Sequence, residues 1–256
     1  MDTPLLELSG ISKHFGGISA LTDVSFCVNA AEVVALVGDN GAGKSTLVKI
    51  ISGIFRQDSG EIKVNGHTIQ LHSPTAANSA GIQTVYQDLA LCDNLDTIQN
   101  LFLGREFTAP WYLAGRLSRA RMEQRTREVL SSLDVRIRDL SAPISALSGG
   151  QRQSVAVCRS ILADPKLVIL DEPTAALGVA QRRQVLALID RLRKQGRGVI
   201  LVSHDLADVQ HIADHVVVMR LGQKVAELDR DACTRDVLVG YITGMRETAN
   251  NIRVAG

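Results

Sequence analysis

Apolar positions along the chain follow two rhythms. Short runs rich in β-branched residues occur at 33–37, 84–86, 167–170, 199–202 and 216–219, each followed by glycine or polar residues. Runs of this length predict strands buried on both faces, as in a parallel sheet. Elsewhere the spacing changes to three and four. Residues 181–195 place Val185, Leu188, Ile189 and Leu192 on one helical face, with Gly196 as the stop. A further helix is expected over 46–52, after a glycine-rich turn. Strand and helix in alternation imply an α/β fold.

Two regions break the alternation. Residues 5–30 and 61–70 predict short strands with turns, and Asn65-Gly66 between strand-like runs is a hairpin signal. These strands are expected to form an antiparallel side sheet. Residues from about 90 to 163 lack strand patterns. Within them 119–133 is charged on one side, with Met122, Val129, Leu130 and Leu133 available for packing. The expectation is one domain over 5–244, with its core at about 5–89 and 164–244. A helical subdomain is inserted at about 90–163, and 245–256 forms a tail. No internal repeat occurs.

The 256 residues, 45% of them hydrophobic, are enough to bury one large domain or two lobes. Lys+Arg is 28 and Asp+Glu is 27, and aromatic residues are 4%. That balance gives no electrostatic or stacking footprint for nucleic acid as a main partner. Cys27, Cys92, Cys158 and Cys233 are far apart and form no CxxC pair, which indicates neither a zinc site nor a disulfide framework. They fit a reduced, intracellular chain. The N-terminus has no basic segment followed by an apolar one. The longest apolar runs have strand length, whereas a bilayer-spanning helix needs roughly 20 residues. A chain soluble by itself is expected, with any membrane role coming through partners.

The chemistry concentrates after the predicted strands. Gly38-Asp39-Asn40-Gly41-Ala42-Gly43-Lys44-Ser45-Thr46 matches GxxxxGK[ST] between a strand and a helix. Glycines let backbone N–H groups approach phosphate oxygens, and a helix start adds its positive dipole end. Lys44 supplies a charge for the β- and γ-phosphates, and the Ser45 hydroxyl suits Mg²⁺. The apolar run 167–170 ends in Asp171-Glu172. Asp171 is placed for the Mg²⁺ shell and Glu172 to polarise an attacking water. Gln87 follows one strand, with an amide that can serve Mg²⁺ or the water, and His204 follows another, within reach of a γ-phosphate. Leu147-Ser148-Gly149-Gly150-Gln151 is a capped helix start with two glycines, a second place where N–H groups face an anion.

The phosphate loop, the acidic pair and LSGGQ at 147–151 together resemble the ABC ATPase family over nearly the whole chain, from about 5 to 244. The resemblance implies a P-loop NTPase core with an antiparallel β side sheet and an inserted helical subdomain. It implies that Gln87 is the Q-loop, that His204 is the switch histidine and that Phe15 stacks on adenine. The stretches 38–44, 85–91, 100–106 and 174–179 are similar to ATP-binding subunits of carbohydrate importers of the ribose, xylose and fructose group, in a single-unit form. One departure stands out. Most members carry SALD after the acidic pair, and here Ala175-Ala176-Leu177-Gly178 puts a glycine at the aspartate position.

The resemblance further implies an ATPase working as a head-to-tail homodimer, each ATP held between the phosphate loop of one copy and 147–151 of the other. Its partners would be integral-membrane permease subunits and, indirectly, a periplasmic or extracellular sugar-binding protein. Its place would be the cytoplasmic face of the cell membrane. Leu89, Ala90, Leu91 and Leu95, just after Gln87, are either a docking groove for a permease helix or core of the helical lobe. Residues 105–128 hold six arginines against three glutamates, read as a solvated helix face. Amino acids or lipids as cargo stay open, as does a soluble ATPase acting in translation or DNA repair.

Overall fold

The structure, a computed structural model, describes residues 3–108 and 117–246. Arg116 of the arginine-bearing stretch, and 247–256 of the expected tail, lie outside the described residues. The described residues divide into two compact units: those within 1–87, 165–173 and 192–256 in one, those within 88–164 and 174–191 in the other.

The first unit holds both sheets. β1 (Leu6–Phe15), β2 (Ile18–Val28), β4 (Ser59–Val64) and β5 (His67–Thr68) form an antiparallel sheet in the order β2-β1-β4-β5. β3 (Val33–Val37), β6 (Ile82–Val85), β7 (Leu167–Asp171), β8 (Gly198–Val202), β9 (His215–Arg220) and β10 (Gln223–Asp229) form the other, in the order β10-β9-β3-β8-β7-β6. All its neighbours are parallel except the β9–β10 hairpin. Every residue of β3 and β8 is buried, because both faces are covered. On one face Val34 and Leu36 join a core with Leu47, Val48 and Ile51 of α1 (Lys44–Ile51) and with Leu6, Leu8 and Ile62 of the antiparallel sheet. On the other, Ala35 and Val37 meet Val209 of α7 (Leu206–Ile212) and Leu238 of α8 (Arg235–Thr243). The short α2 (Pro74–Ser79), capped by the Ser73 hydroxyl, leads into β6.

The second unit is helical. α3 (Thr97–Phe102), α4 (Arg119–Ser132) and α5 (Gly149–Ile161) pack on one another, burying Ile98, Leu101, Met122, Val129 and Val155. This unit also takes in 174–191, which carries most of α6 (Val179–Lys194). Asp96 caps α3 in a reciprocal box with Gln99, and its other oxygen receives Arg119 at 2.7 Å. Arg127–Glu123 and Arg125–Glu128 pair along the exposed face of α4, as a solvated helix face does.

Candidate functional site

Parallel pairing sets the geometry. The C-terminal ends of β3, β8, β7 and β6 lie side by side along one sheet edge, and the residues singled out in the sequence follow those ends. After β3 the chain turns into α1 at Gly43, whose φ is +101°. α1 starts two residues earlier than the sequence pattern suggests. Lys44, Ser45 and Thr46 therefore form its first turn, where backbone N–H groups have no acceptor within the helix. Two glycines make the loop possible. At Gly38, with φ +148°, a Cβ would lie 2.2 Å from the Met219 carbonyl oxygen. At Gly43 it would lie 2.7 Å from Leu21 Cδ2. Lys44 is buried, and its ammonium donates to the Gly38 and Asp39 carbonyls at 2.6 and 3.0 Å. Burial holds its pKa below the ordinary value, against the pull of Glu172, Asp39 and Asp171.

Asp171 ends β7. Burial and the neighbouring Glu172 push its pKa up, although Lys44 and Lys49 oppose the shift. Glu172 sits in the left-handed region at φ +51°, uncommon for a residue with a side chain. Its N–H donates to the Val202 carbonyl at 3.0 Å, which ties it to the end of β8. His204 then follows two residues beyond β8, and its Nδ1 lies 2.7 Å from Glu172 Oε2. The glutamate is mostly covered and the imidazole mostly open, with 16% and 71% of their side chains exposed.

Lys44, Ser45, Gln87, Asp171, Glu172 and His204 line one cleft of about 440 Å³, together with Gly38, Asp39 and Asn40. A second cleft of about 350 Å³ runs along the same loop, over Asn40 to Thr46, and is walled by Ile18, Ser19 and Ala20. The donor set suits Mg²⁺: a hydroxyl, an amide and carboxylates, all hard oxygen ligands beside a phosphate cradle. Among the described residues no group of three or more His, Cys, Asp or Glu could hold a metal by itself. Mg²⁺ bound by few protein ligands and by substrate phosphates needs no such group.

Phe15, the residue expected to stack on adenine, ends β1 with 42% of its surface exposed. It meets Phe55 edge-on at 5.2 Å between ring centres, with the Lys13 ammonium 5.5 Å from its ring. It lines neither cleft, while Ile18, its partner across the Gly16-Gly17 turn, does. Ile18 is 71% exposed, and nothing in the local sequence singles it out. In the helical unit, Ser148 caps α5. Its hydroxyl accepts from the Gln151 N–H at 3.3 Å, and Gln151 Oε1 accepts from the Ser148 N–H at 3.1 Å. Ser148 and Gly149 are exposed, Leu147 and Gln151 half-buried and Gly150 buried. The hydroxyl proton is thus free to point outward. Gly178 is exposed, with open space where a Cβ would be.

The ABC transporter family profile matches residues 21–175. The chain belongs to the ABC transporter family. It is 42% identical over 250 residues to a fructose import ATP-binding protein of Rhizobium meliloti, covering 95% of each chain. It is 44% identical over 219 residues to a xylose/arabinose import ATP-binding protein of Sulfolobus acidocaldarius, covering 86% of each. Against a ribose import ATP-binding protein of Rubrobacter xylanophilus it is 39% identical, and there it spans 47% of the relative's length. A nucleotide-free ATP-binding cassette of an ABC transporter superposes with a TM-score of 0.81 at 25% identity, covering 93% of this chain and 98% of that one. The ABC family is one of nucleotide-binding ATPases, and this chain is an ABC-type ATPase with the mixed α/β fold of its structural neighbours. Among the described residues no helix is long and apolar enough to cross a membrane.

Proposed function

We propose that this chain is the energy-coupling subunit of an ABC importer for a sugar. The observation that carries the reading is the single cleft in which a phosphate loop, two carboxylates, a glutamine and a histidine converge. Sugar as cargo is supported by the identity to sugar-import ATP-binding proteins along nearly the full chain.

In this reading the first turn of α1 and the 38–43 backbone bind the phosphates of ATP, and Lys44 turns from its own carbonyls to the β- and γ-oxygens. Ser45, Gln87 and Asp171 would hold Mg²⁺, which when bound neutralises phosphate charge. Glu172 orients and polarises the attacking water, and His204 keeps that carboxylate in place through its Nδ1 contact. One loop neutralises only part of the triphosphate charge. Ser148 and the glycine amides of a second copy complete the cage, so ATP joins two copies and hydrolysis releases them. The chain then works at the inner face of a membrane through permease subunits, with a sugar-binding protein delivering cargo.

The test is uptake. Cells lacking the chain are given either the wild type or Lys44→Ala, and entry of labelled fructose, ribose, xylose and an amino acid is measured. Only the wild type should restore sugar entry. Restored amino-acid entry with no effect on any sugar would overturn the cargo while leaving the ATPase reading intact.

A further inference from the structure

The segment after Gln87 is held by two side chains from different helices. Arg159, in the third turn of α5, donates from Nη1 to the Ala90 carbonyl and from Nη2 to the Leu89 carbonyl, both at 2.7 Å. Ala90 itself has a left-handed φ of +49°, a conformation this grip holds against its cost. Further along, the buried Asn100 of α3 accepts from the Cys92 N–H at 2.7 Å and donates to the carbonyls of Cys92 and Leu95 at 3.0 and 3.2 Å. Leu91 lies between these two anchors.

Arg159 is an unusual choice for an anchor. Its hydrogen-bond partners among the described residues are carbonyls and not carboxylates, and the strongest charge acting on it is the like charge of Arg105. A half-buried guanidinium with only carbonyl partners is a costly way to gain stability, because its desolvation is not offset by an opposite charge. Its planar fork does fix two consecutive carbonyls in one orientation, which a single-point donor cannot. The same helix starts at Ser148, eleven residues earlier, about 16 Å along a rigid rod at 1.5 Å per residue.

We propose that Arg159 is a positioning residue: it fixes residues 88–92 to the helix that begins at Ser148, so that an event at the start of α5 is felt at 88–92. This rests on the reading above, in which Ser148 meets the ATP of a second copy. It adds the physical link by which nucleotide capture would reach the segment after Gln87.

Hydrogen exchange of the full chain tests the link, with and without a non-hydrolysable ATP analogue and Mg²⁺, in the wild type and in Arg159→Lys. Lysine keeps the charge and the stem but loses the fork. In the wild type the analogue should slow exchange both at 149–154 and at 88–92. In Arg159→Lys the slowing at 149–154 should persist. The slowing at 88–92 should fall on the order of tenfold, the factor that one charge-assisted hydrogen bond represents. A general loss of stability would raise exchange in both segments without separating them. Equal protection of 88–92 in both proteins would overturn the proposal alone. A wild type that responds in neither segment would instead sink the reading of Ser148. Arg159→Gln serves as the second variant, and failure of both to fold would assign Arg159 to stability and overturn the positioning role.

Discussion

Lys44 and Asp171 show how single residues are kept ready at a cost to the ligand-free fold. The Lys44 ammonium is desolvated and satisfied by two carbonyls of its own loop. Lys44→Ala removes the main cation of the cradle, and titration should find ATP binding weaker by roughly ten- to a hundredfold, the worth of charge-assisted hydrogen bonds. An affinity within twofold of wild type would remove Lys44 from the site. Asp171 has a folded-state pKa raised by burial and by Glu172. A carboxyl raised in this way binds its proton more readily in the folded state than in the unfolded one. Its ionised form therefore lowers stability at neutral pH, and that stability returns as pH falls toward the raised pKa. Asp171→Asn should accordingly raise the melting temperature of the nucleotide-free chain at pH 7 while abolishing hydrolysis. A lower melting temperature would contradict this account. At Glu172, Gln keeps the shape and the His204 contact but cannot take a proton. Turnover should drop by roughly 10²–10⁴, the usual worth of general base catalysis, with ATP affinity retained.

Two hairpins of the same type make the comparison at the scale of elements. Asn65-Gly66 joins β4 to β5, and Leu221-Gly222 joins β9 to β10. Both residues of each turn have positive φ: +50° and +77° in the first, +48° and +80° in the second. These are two-residue turns of the mirror-image kind, which favour Asn-Gly. The first is legible from its dipeptide. The second is hidden, since leucine is a poor left-handed residue and this one is 76% exposed. Leu221→Asn should stabilise the chain by about 1 kcal/mol and raise its melting temperature by about 2–4 °C. A fall in melting temperature would mean that the leucine side chain has a contact of its own. Helix ends divide in the same way. The Ser148–Gln151 box is written in local sequence, whereas the start of α1 at Lys44 depends on Gly43 being wedged against Leu21.

For the whole molecule, the reading of ATP as the link between two copies makes the association state the quantity to measure. Glu172→Gln with ATP should elute from a sizing column at twice the monomer mass and return to monomer when ATP is removed. A monomer at saturating ATP would argue for a different partner chain. Gly178 allows a second probe, because it stands where most ABC ATPases carry aspartate and its Cβ position is open. Gly178→Asp should fold with an unchanged melting temperature. Any change it makes in ATP-dependent dimerisation then reports on the contact between copies.

The sequence by itself determined the local pieces: which runs become buried strands, where a phosphate loop joins strand to helix, where a serine caps α5 and where Asn-Gly turns the chain. Each is decided by neighbours a few residues apart, through backbone preference, capping or side-chain spacing. Only the tertiary structure decided that β3, β8, β7 and β6 stand side by side, which brings Lys44, Gln87, Asp171 and His204 to one edge from across 160 residues of chain. It also placed Glu172 in a left-handed conformation against Val202, set Ile18 beside the loop and laid Arg159 on the carbonyls of Leu89 and Ala90. Strands that are apolar at every position look alike as neighbours. Their order follows from covering both faces of the sheet at once, a condition that involves the whole first unit and leaves no mark in any short stretch of sequence.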